Sequence, residues 1–386
     1  MRRIHYVTVA RSDYGISRPV MRCLNDDPEI DLQVIVSGMH LEPRFGSTVA
    51  EIEDDGFSIA ARLETLTDGD APEDMAASLA AGVQKFACQF AADRPDILVL
   101  LGDRFDMYAA ALAALPFAVP VAHIHGGELT FGAVDDALRH SMTKLSHVHF
   151  AATEDYARRI RQLGEEDWRV VVSGAPGLDN LKSFRTLPPS ELESRTGLPM
   201  EPAPLVVTFH PTTLQHEETE AHVTNLLTAL KRSGRPAVFT LPNADTGNAL
   251  IGRAIEAYCA AEPGAVRVDN LGTDGYFNLM GQAAAMVGNS SSGLIEAPSF
   301  GLPVVNVGIR QDGRTRAANV IDTGTDTAEI EAAIQRALSP AFRDGLKDMK
   351  NPYGDGNASN VIARHLKTMP LTEELVIKRF VDRPAQ

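Results

Sequence analysis

The chain has 386 residues, too many for one ordinary core and enough for two domains. Its 44% hydrophobic and 23% charged content is that of a soluble globular protein, with no apolar run approaching the roughly 18 residues of a membrane span. A formal net charge of −15 argues against general nucleic-acid binding, but a local basic cluster can still hold a small anion.

Taken in order, apolar runs alternate with stretches of helical period, which is the α/β pattern. Ile4–Ala10 reads as a first strand rather than an export signal, because its short run leads straight into charged residues. Residues 11–15, RSDYG, read as a tight polar loop before a helix from about Ile16 to Asn25. Leu32–Ser37 is the next strand, followed by a loop through His40 and Gly46. A helix from about Pro72 to Ala92 precedes Asp96–Leu101, a continuous apolar run typical of a buried parallel strand. That strand ends in Gly102-Asp103-Arg104-Phe105-Asp106. An Ala-rich helix leads to the strand Val119–His125, which ends in Gly126-Gly127-Glu128. The loop Leu129–Asp136 opens a helix carrying Arg139, His140 and Lys144. His149–Ala152, a helix around Glu154–Leu163, and Val170–Ser173 follow.

Leu181–Pro204 carries five prolines and reads as the connection between domains, with room for one short helix. Leu205–Phe209 is then a strand ending in His210-Pro211-Thr212-Thr213, before a helix from about Glu217 to Lys231. Ala237–Leu241 is a strand ending in PNADTG at 242–247, where Asn243 and Asp245 suit an Asx turn. After the short strand Val266–Val268 comes the stretch Val287–Arg314. There a strand, a serine-rich elbow, a helix, a Gly-Leu-Pro turn, a second strand and a basic loop succeed one another. Ser290, Ser291, Ser292 and Gly293 form a helix N-cap cluster whose unpaired N–H groups suit an anion, phosphate above all. Glu296, one turn in, suits ribose hydroxyls, and Arg310 and Arg314 follow the next strand at the same sheet edge. An ordinary βαβ unit with a well-capped helix is the alternative. Helices near Thr327–Ala337 and Ala358–Thr368 close this domain, and Leu371–Phe380 has helical spacing. The expected domains are 1–185 and 203–368, with 369–386 packing back on the first. Cys23, Cys88 and Cys259 match no metal spacing and suit a reducing cytoplasm.

Open parallel sheets bind ligands at the carboxyl ends of their strands. Arg11, Asp13, Asp103, Glu128, His210, Asp245, Ser290 and Arg310 all fall there. Two such edges serving one ligand are the expected site.

The motifs GDRFD (102–106), HIHGGELTFGAVDD (123–136), RHSMTKLSHVHF (139–150), FHPTT, PNADTG and GNSSSGLIEAPSFGLPVVNVGIRQDGR carry a resemblance over nearly the whole chain. The sequence resembles the hydrolysing UDP-N-acetylglucosamine 2-epimerases of sialic acid biosynthesis. It equally resembles their relatives acting on UDP-2,4-diacetamido-2,4,6-trideoxyglucose in legionaminic acid synthesis. The resemblance implies a GT-B-like fold of two Rossmann-like domains facing across a cleft, and a homo-oligomer, dimer or tetramer. It implies expulsion of UDP with loss of the proton at carbon 2, then hydration of the resulting 2-acetamidoglucal. That chemistry needs acid–base groups and fixed donors, and no metal or redox cofactor.

Carried over by motif, Asp103 and Asp135 are acid–base candidates near the sugar. Turn capping and helix capping are their structural alternatives. Some relatives read HIEGG where this chain has His123-Ile124-His125, so either His125 serves as base or Glu128 takes that part. His123 and His125 alternate onto one strand face, but no third ligand completes a metal site. His210 matches a histidine that donates to the diphosphate or the leaving oxygen. Ser290, Ser291 and Glu296 match nucleotide-binding residues, Arg310 and Arg314 suit phosphate, and Arg11 suits the diphosphate from the first domain. Tyr14 and Phe277 suit either a ring-stacking role or the core.

Overall fold

The computed structural model describes residues 1–69, 71–131, 134–211, 217–240, 248–268 and 271–383. The chain forms two units. One comprises Met1–Glu128, Val134–Asp179 and Tyr353–Gln386; the other comprises Leu129–Ala133 and Asn180–Pro352.

The first unit holds seven parallel strands: β1 (Arg2–Thr8), β2 (Ile30–Ser37), β3 (Ile59–Leu63), β4 (Ile97–Leu101), β5 (Val121–Ile124), β6 (Val148–Ala151) and β7 (Val170–Val172). Their order is β3-β2-β1-β4-β5-β6-β7. β4, ILVLL, is buried at every position because helices cover both sheet faces, giving one apolar core on each side. Leu98 pairs with Val121 and Leu101 with Ile124, so β4 and β5 end level.

The structure departs from the sequence expectation in the first helix, adds the strand β3, and places the last long helix in the first unit. The first helix spans Arg11–Asn25, five residues earlier than expected, and residues 11–15 are not a loop. Asp13, the third helical residue, reaches back to accept from the N–H groups of Val9 (2.9 Å) and Ala10 (2.7 Å), which nucleates the turn. β3 lies in a stretch with no strand signal. The helix Ala358–Thr368 belongs to the first unit, not the second domain, and the boundaries move to 179/180 and 352/353. The Asp179 carboxylate caps that helix by accepting from Ala358 (3.0 Å) and Ser359 (2.6 Å), while Ile362 and Leu366 enter the core with Val20 and Leu24. An amphipathic stripe states that a helix packs, not on which sheet. Among the described residues of the tail, Glu373–Val376 is helical, with Leu375 buried.

The second unit holds six parallel strands: β8 (Leu205–Thr208), β9 (Ala237–Thr240), β10 (Ala265–Val268), β11 (Ala285–Gly288), β12 (Val304–Val307) and β13 (Val320–Thr323). Their order is β10-β9-β8-β11-β12-β13, again with an apolar core on each face. The proline-rich connection contains one helix, Pro189–Thr196. In each sheet the order reverses once, between β1 and β4 and between β8 and β11. Such switch points are where open α/β sheets take ligands. No described helix is long and apolar enough to cross a membrane.

Candidate active site

In the first unit the loops after β4 and β5 and the helix Val134–Leu145 bring four charged or titratable side chains together. Arg139, mid-helix and 3% exposed, donates from Nη2 to the Asp103 carboxylate just past β4. Its Nη1 donates to the His125 carbonyl at 2.8 Å and lies 3.8 Å from Glu128 Oε2. The second Glu128 oxygen lies 2.6 Å from His125 Nδ1. Burial alone would lower the Arg139 pKa, but Asp103, Glu128 and Asp135 outweigh it and raise the value. Asp103 and Glu128 therefore share one buried cation.

His125 has φ +63, in the left-handed region. A non-glycine residue held there costs about 1–3 kcal/mol, and such strain clusters at functional sites. Its backbone is pinned by its N–H donating to the Phe150 carbonyl (3.1 Å) and its carbonyl accepting from Arg139. The turn also needs Gly127, at φ +78, where an added Cβ would lie 2.4 Å from the Tyr156 carbonyl oxygen. This geometry corrects the expected alternation of His123 and His125. β5 ends at Ile124, and His123 is fully buried with Nε2 2.7 Å from the Gly102 carbonyl. Burial pulls its imidazole down to about 3. Nearby, at the ends of β1 and β2, buried His40 sits between Thr8 Oγ1 (2.9 Å) and Thr48 Oγ1 (2.6 Å).

In the second unit the switch point between β8 and β11 is closed by Asn289. Its Oδ1 accepts from the His210 N–H (2.7 Å) and its Nδ2 donates to the His210 carbonyl (2.9 Å). The Asn289 carbonyl in turn accepts from Arg310 Nη1 (2.9 Å) and Gln311 Nε2 (2.8 Å). His210 is buried, and desolvation, reinforced by Arg310, takes it down to about 3. The imidazole is thus neutral at ordinary pH, a donor or acceptor but not a charge. The two strands approach so closely that a Cβ on Gly288, φ +137, would lie 1.9 Å from the Thr208 carbonyl oxygen.

The serine elbow departs from expectation. The helix after it is one turn, Ser292–Ile295, with Ser291 at its N-cap making no side-chain cap bond. The N–H groups of Gly293 and Leu294 already donate to the Ser290 (3.2 Å) and Ser291 (2.9 Å) carbonyls, and Ser290 Oγ accepts weakly from Ser292 N–H (3.4 Å). A following proline, Pro298, and a 3-10 turn at Ala297–Phe300 keep the helix short. Glu296 terminates that turn near Tyr276, whose phenol burial pushes up to about 12 against an opposing hydrogen bond from Ser292.

Of the expected residues, Asp103, His125 and Glu128 converge, and Asp135 joins through the charge of Arg139. Asp135 lies inside the first turn of its helix rather than at the N-cap. His210 and Arg310 converge on Asn289, beside Ser290. Arg11, half-exposed, pairs with Glu51 at 3.3 Å. Arg314 donates to the Leu129 carbonyl at 3.2 Å. Tyr14 and Phe277 are core residues, with Tyr14 donating to Asp55 and Phe277 packed between Phe184 and Phe300. Asn243, Asp245, Thr212 and Thr213 lie outside the described residues. Arg139 and Asn289 were given no role by sequence. Arg139 stands four residues after Asp135 on one helix, a spacing that joins acid to base. Asn289 follows the one glycine at the end of β11.

Comparison with known proteins follows the same lines. Residues 22–367 match the family described as UDP-N-acetylglucosamine 2-epimerase. The chain is 36% identical to the UDP-N,N'-diacetylbacillosamine 2-epimerase (hydrolyzing) of Legionella pneumophila over 98% of this chain and 99% of that protein. It is 33% identical to a UDP-N-acetylglucosamine 2-epimerase of Neisseria meningitidis serogroup B, covering 99% of both. A crystal structure of UDP-GlcNAc 2-epimerase from Neisseria meningitidis bound to UDP-GlcNAc superposes with TM-score 0.81 at 20% identity, covering 94% and 99% of the two chains. With its two Rossmann-like sheets, the fold is GT-B-like.

Proposed function

The chain belongs to the UDP-N-acetylglucosamine 2-epimerase family, and from that premise we propose that it is a hydrolysing 2-epimerase of a UDP-linked 2-acetamido sugar. The observation that carries the reading is the chain from half-buried Asp103 through buried Arg139 to Glu128 and His125, held against backbone strain. Glu128 on Nδ1 orients the imidazole so that Nε2 is the nitrogen offered to a substrate, the arrangement of an oriented general base.

In the proposed reaction His125 Nε2 takes the proton at carbon 2. The bond from carbon 1 to the diphosphate oxygen breaks, its electron pair leaves with UDP, and a 2-acetamidoglucal remains. Water then adds across the double bond: hydroxyl goes to carbon 1, and a proton goes to carbon 2 from the opposite face. Asp103 and Asp135 are assigned to that delivery and to activating the water. No electrons change hands, so the sequence of steps calls for no redox cofactor. His210, Arg310 and the elbow Ser290-Ser291-Ser292-Gly293 are assigned to the diphosphate, with His210 supplying a neutral N–H as the phosphate oxygen leaves. Glu296 is assigned to the ribose, and Arg11 and Arg314 to the outer phosphate charge. Both sets of residues are required to act on one substrate.

N-acetylglucosamine is the simplest sugar this reading allows, with N-acetylmannosamine as product. The alternative is N,N'-diacetylbacillosamine, a 2,4-diacetamido-2,4,6-trideoxyglucose, the sugar named for the 36% relative as N-acetylglucosamine is for the 33% relative. Incubation with each UDP-sugar, with the released sugar identified by NMR, separates the two. A kcat/KM at least tenfold higher for one assigns it. Turnover of neither, with UDP still bound, would instead indicate a nucleotide-sugar sensor.

A further inference from the structure

The helix Val134–Leu145 carries Asp135 in its first turn and Arg139 in its middle. The last carbonyls of any helix lack intrahelical partners, and a cation placed among them is favoured by the helix dipole. Here that cation comes from the far end of the chain. Lys378 Nζ donates to the carbonyls of Lys144 (3.0 Å) and Ser146 (2.5 Å), with Thr143 at 3.4 Å, and pairs with Glu165 Oε2 at 2.8 Å. Its side chain is 15% exposed, and burial pulls the ammonium down to about 8 even with Glu165 opposing.

The segment that delivers Lys378 is itself anchored. Arg169, fully buried, donates to the carbonyls of Glu374 (2.8 Å), Leu375 (2.8 Å) and Ile377 (3.2 Å), and also to that of His147 (3.1 Å). Beyond Lys378, Val381 N–H donates to the Gly164 carbonyl at 2.9 Å. A single turn of tail is therefore fixed on both sides of one lysine aimed at one helix end.

We propose that Lys378 is a positioning residue for the acid–base cluster, holding the helix Val134–Leu145 from behind so that Arg139 meets Asp103, Glu128 and the His125 carbonyl together. This rests on the acid–base reading given above. The helix links the lysine to the guanidinium, with the Lys144 carbonyl roughly one and a half turns beyond Arg139. A shift of the helix along its axis would open the Arg139 contacts to Asp103 and the His125 carbonyl.

The test uses the full chain. Lys378→Gln leaves Glu165 with Lys144 (2.6 Å) and His149 (3.1 Å), so the fold has a replacement network. Lys378→Arg keeps the charge. Amide exchange across residues 134–146, kcat, and UDP affinity by calorimetry are measured for both. The expected result is exchange at least tenfold faster in that helix and kcat about tenfold lower for Lys378→Gln, with UDP affinity unchanged and both properties recovered in Lys378→Arg. The proposal is overturned if helix exchange and kcat match the parent, or if the helix loosens while kcat holds. It is equally overturned if activity and UDP affinity fall together and Lys378→Arg rescues neither. The exchange arm reads the strap independently of turnover, so an enzyme without epimerase activity but with a loosened helix would fault the functional reading instead.

Discussion

Asp103 accepts a charge-assisted bond from Arg139, and removing its charge should cost chemistry rather than binding. Asp103→Asn is expected to lower kcat about 10²-fold or more, the range of a lost acid–base group, with UDP affinity unchanged by calorimetry. Equal losses in both would move Asp103 out of the catalytic set. His125 offers a sharper test, because asparagine tolerates its left-handed backbone better than most residues. His125→Asn should keep the melting temperature within a few degrees, while UDP release from the sugar falls about 10²-fold or more. A variant that melts early but turns over normally would make His125 structural. At this scale the motif letters were legible and their partners were not. Glu128 and His125 stand three apart in sequence, yet their 2.6 Å contact depends on a positive φ that no side chain announces.

At the scale of elements, the elbow after β11 combines a backbone requirement with a binding proposal. Gly288→Ala should destabilise the second unit by about 3 kcal/mol or more, since the added carbon overlaps the Thr208 carbonyl at an unfavourable φ. Chemical denaturation checks this, and a shift within error would mean that the strands separate easily. Replacing Ser290 and Ser291 together by alanine should weaken UDP binding at least about tenfold, since one hydrogen bond to a charged group is worth roughly 1.5–3 kcal/mol. The rate per bound substrate should change less. Unchanged UDP affinity would remove both serines from the clamp. Strands such as β4 were readable because buried parallel strands are written as unbroken apolar runs. The weak edge strand β3, with no fully buried residue, carried no such signal. The start of the first helix was misplaced because Asp13 caps from inside the helix, and a cap at that position looks like loop polarity.

For the whole molecule, acid stability separates the two units. Burial lowers the pKa of His5, His40, His123, His147 and His149, all in the first unit, to about 4 for His40 and His147 and about 3 for His123. Folded values below the unfolded one of about 6.5 mean that the unfolded chain takes up protons first. Stability is then fully present above pH ~6.5 and is lost as pH falls toward the folded values. Asp13, raised to about 6 by burial, acts in the opposite sense and offsets part of this. Among the described residues of the second unit, His210 is the histidine with a comparable shift. Amide exchange at pH 5.5 should therefore accelerate in β4 to β6 before β8 to β12; uniform acceleration would contradict the assignment. The domain partition was legible only in part, since the helix Ala358–Thr368 crosses back to the first unit through its bonds to Asp179. The hydrolysing 2-epimerase reading is tested most directly by the course of the reaction in heavy water, followed by NMR with each UDP-sugar. It predicts one UDP released per sugar and a free sugar inverted at carbon 2 and carrying deuterium there. A product still linked to UDP, or a freed sugar that keeps its original proton and configuration, would contradict it.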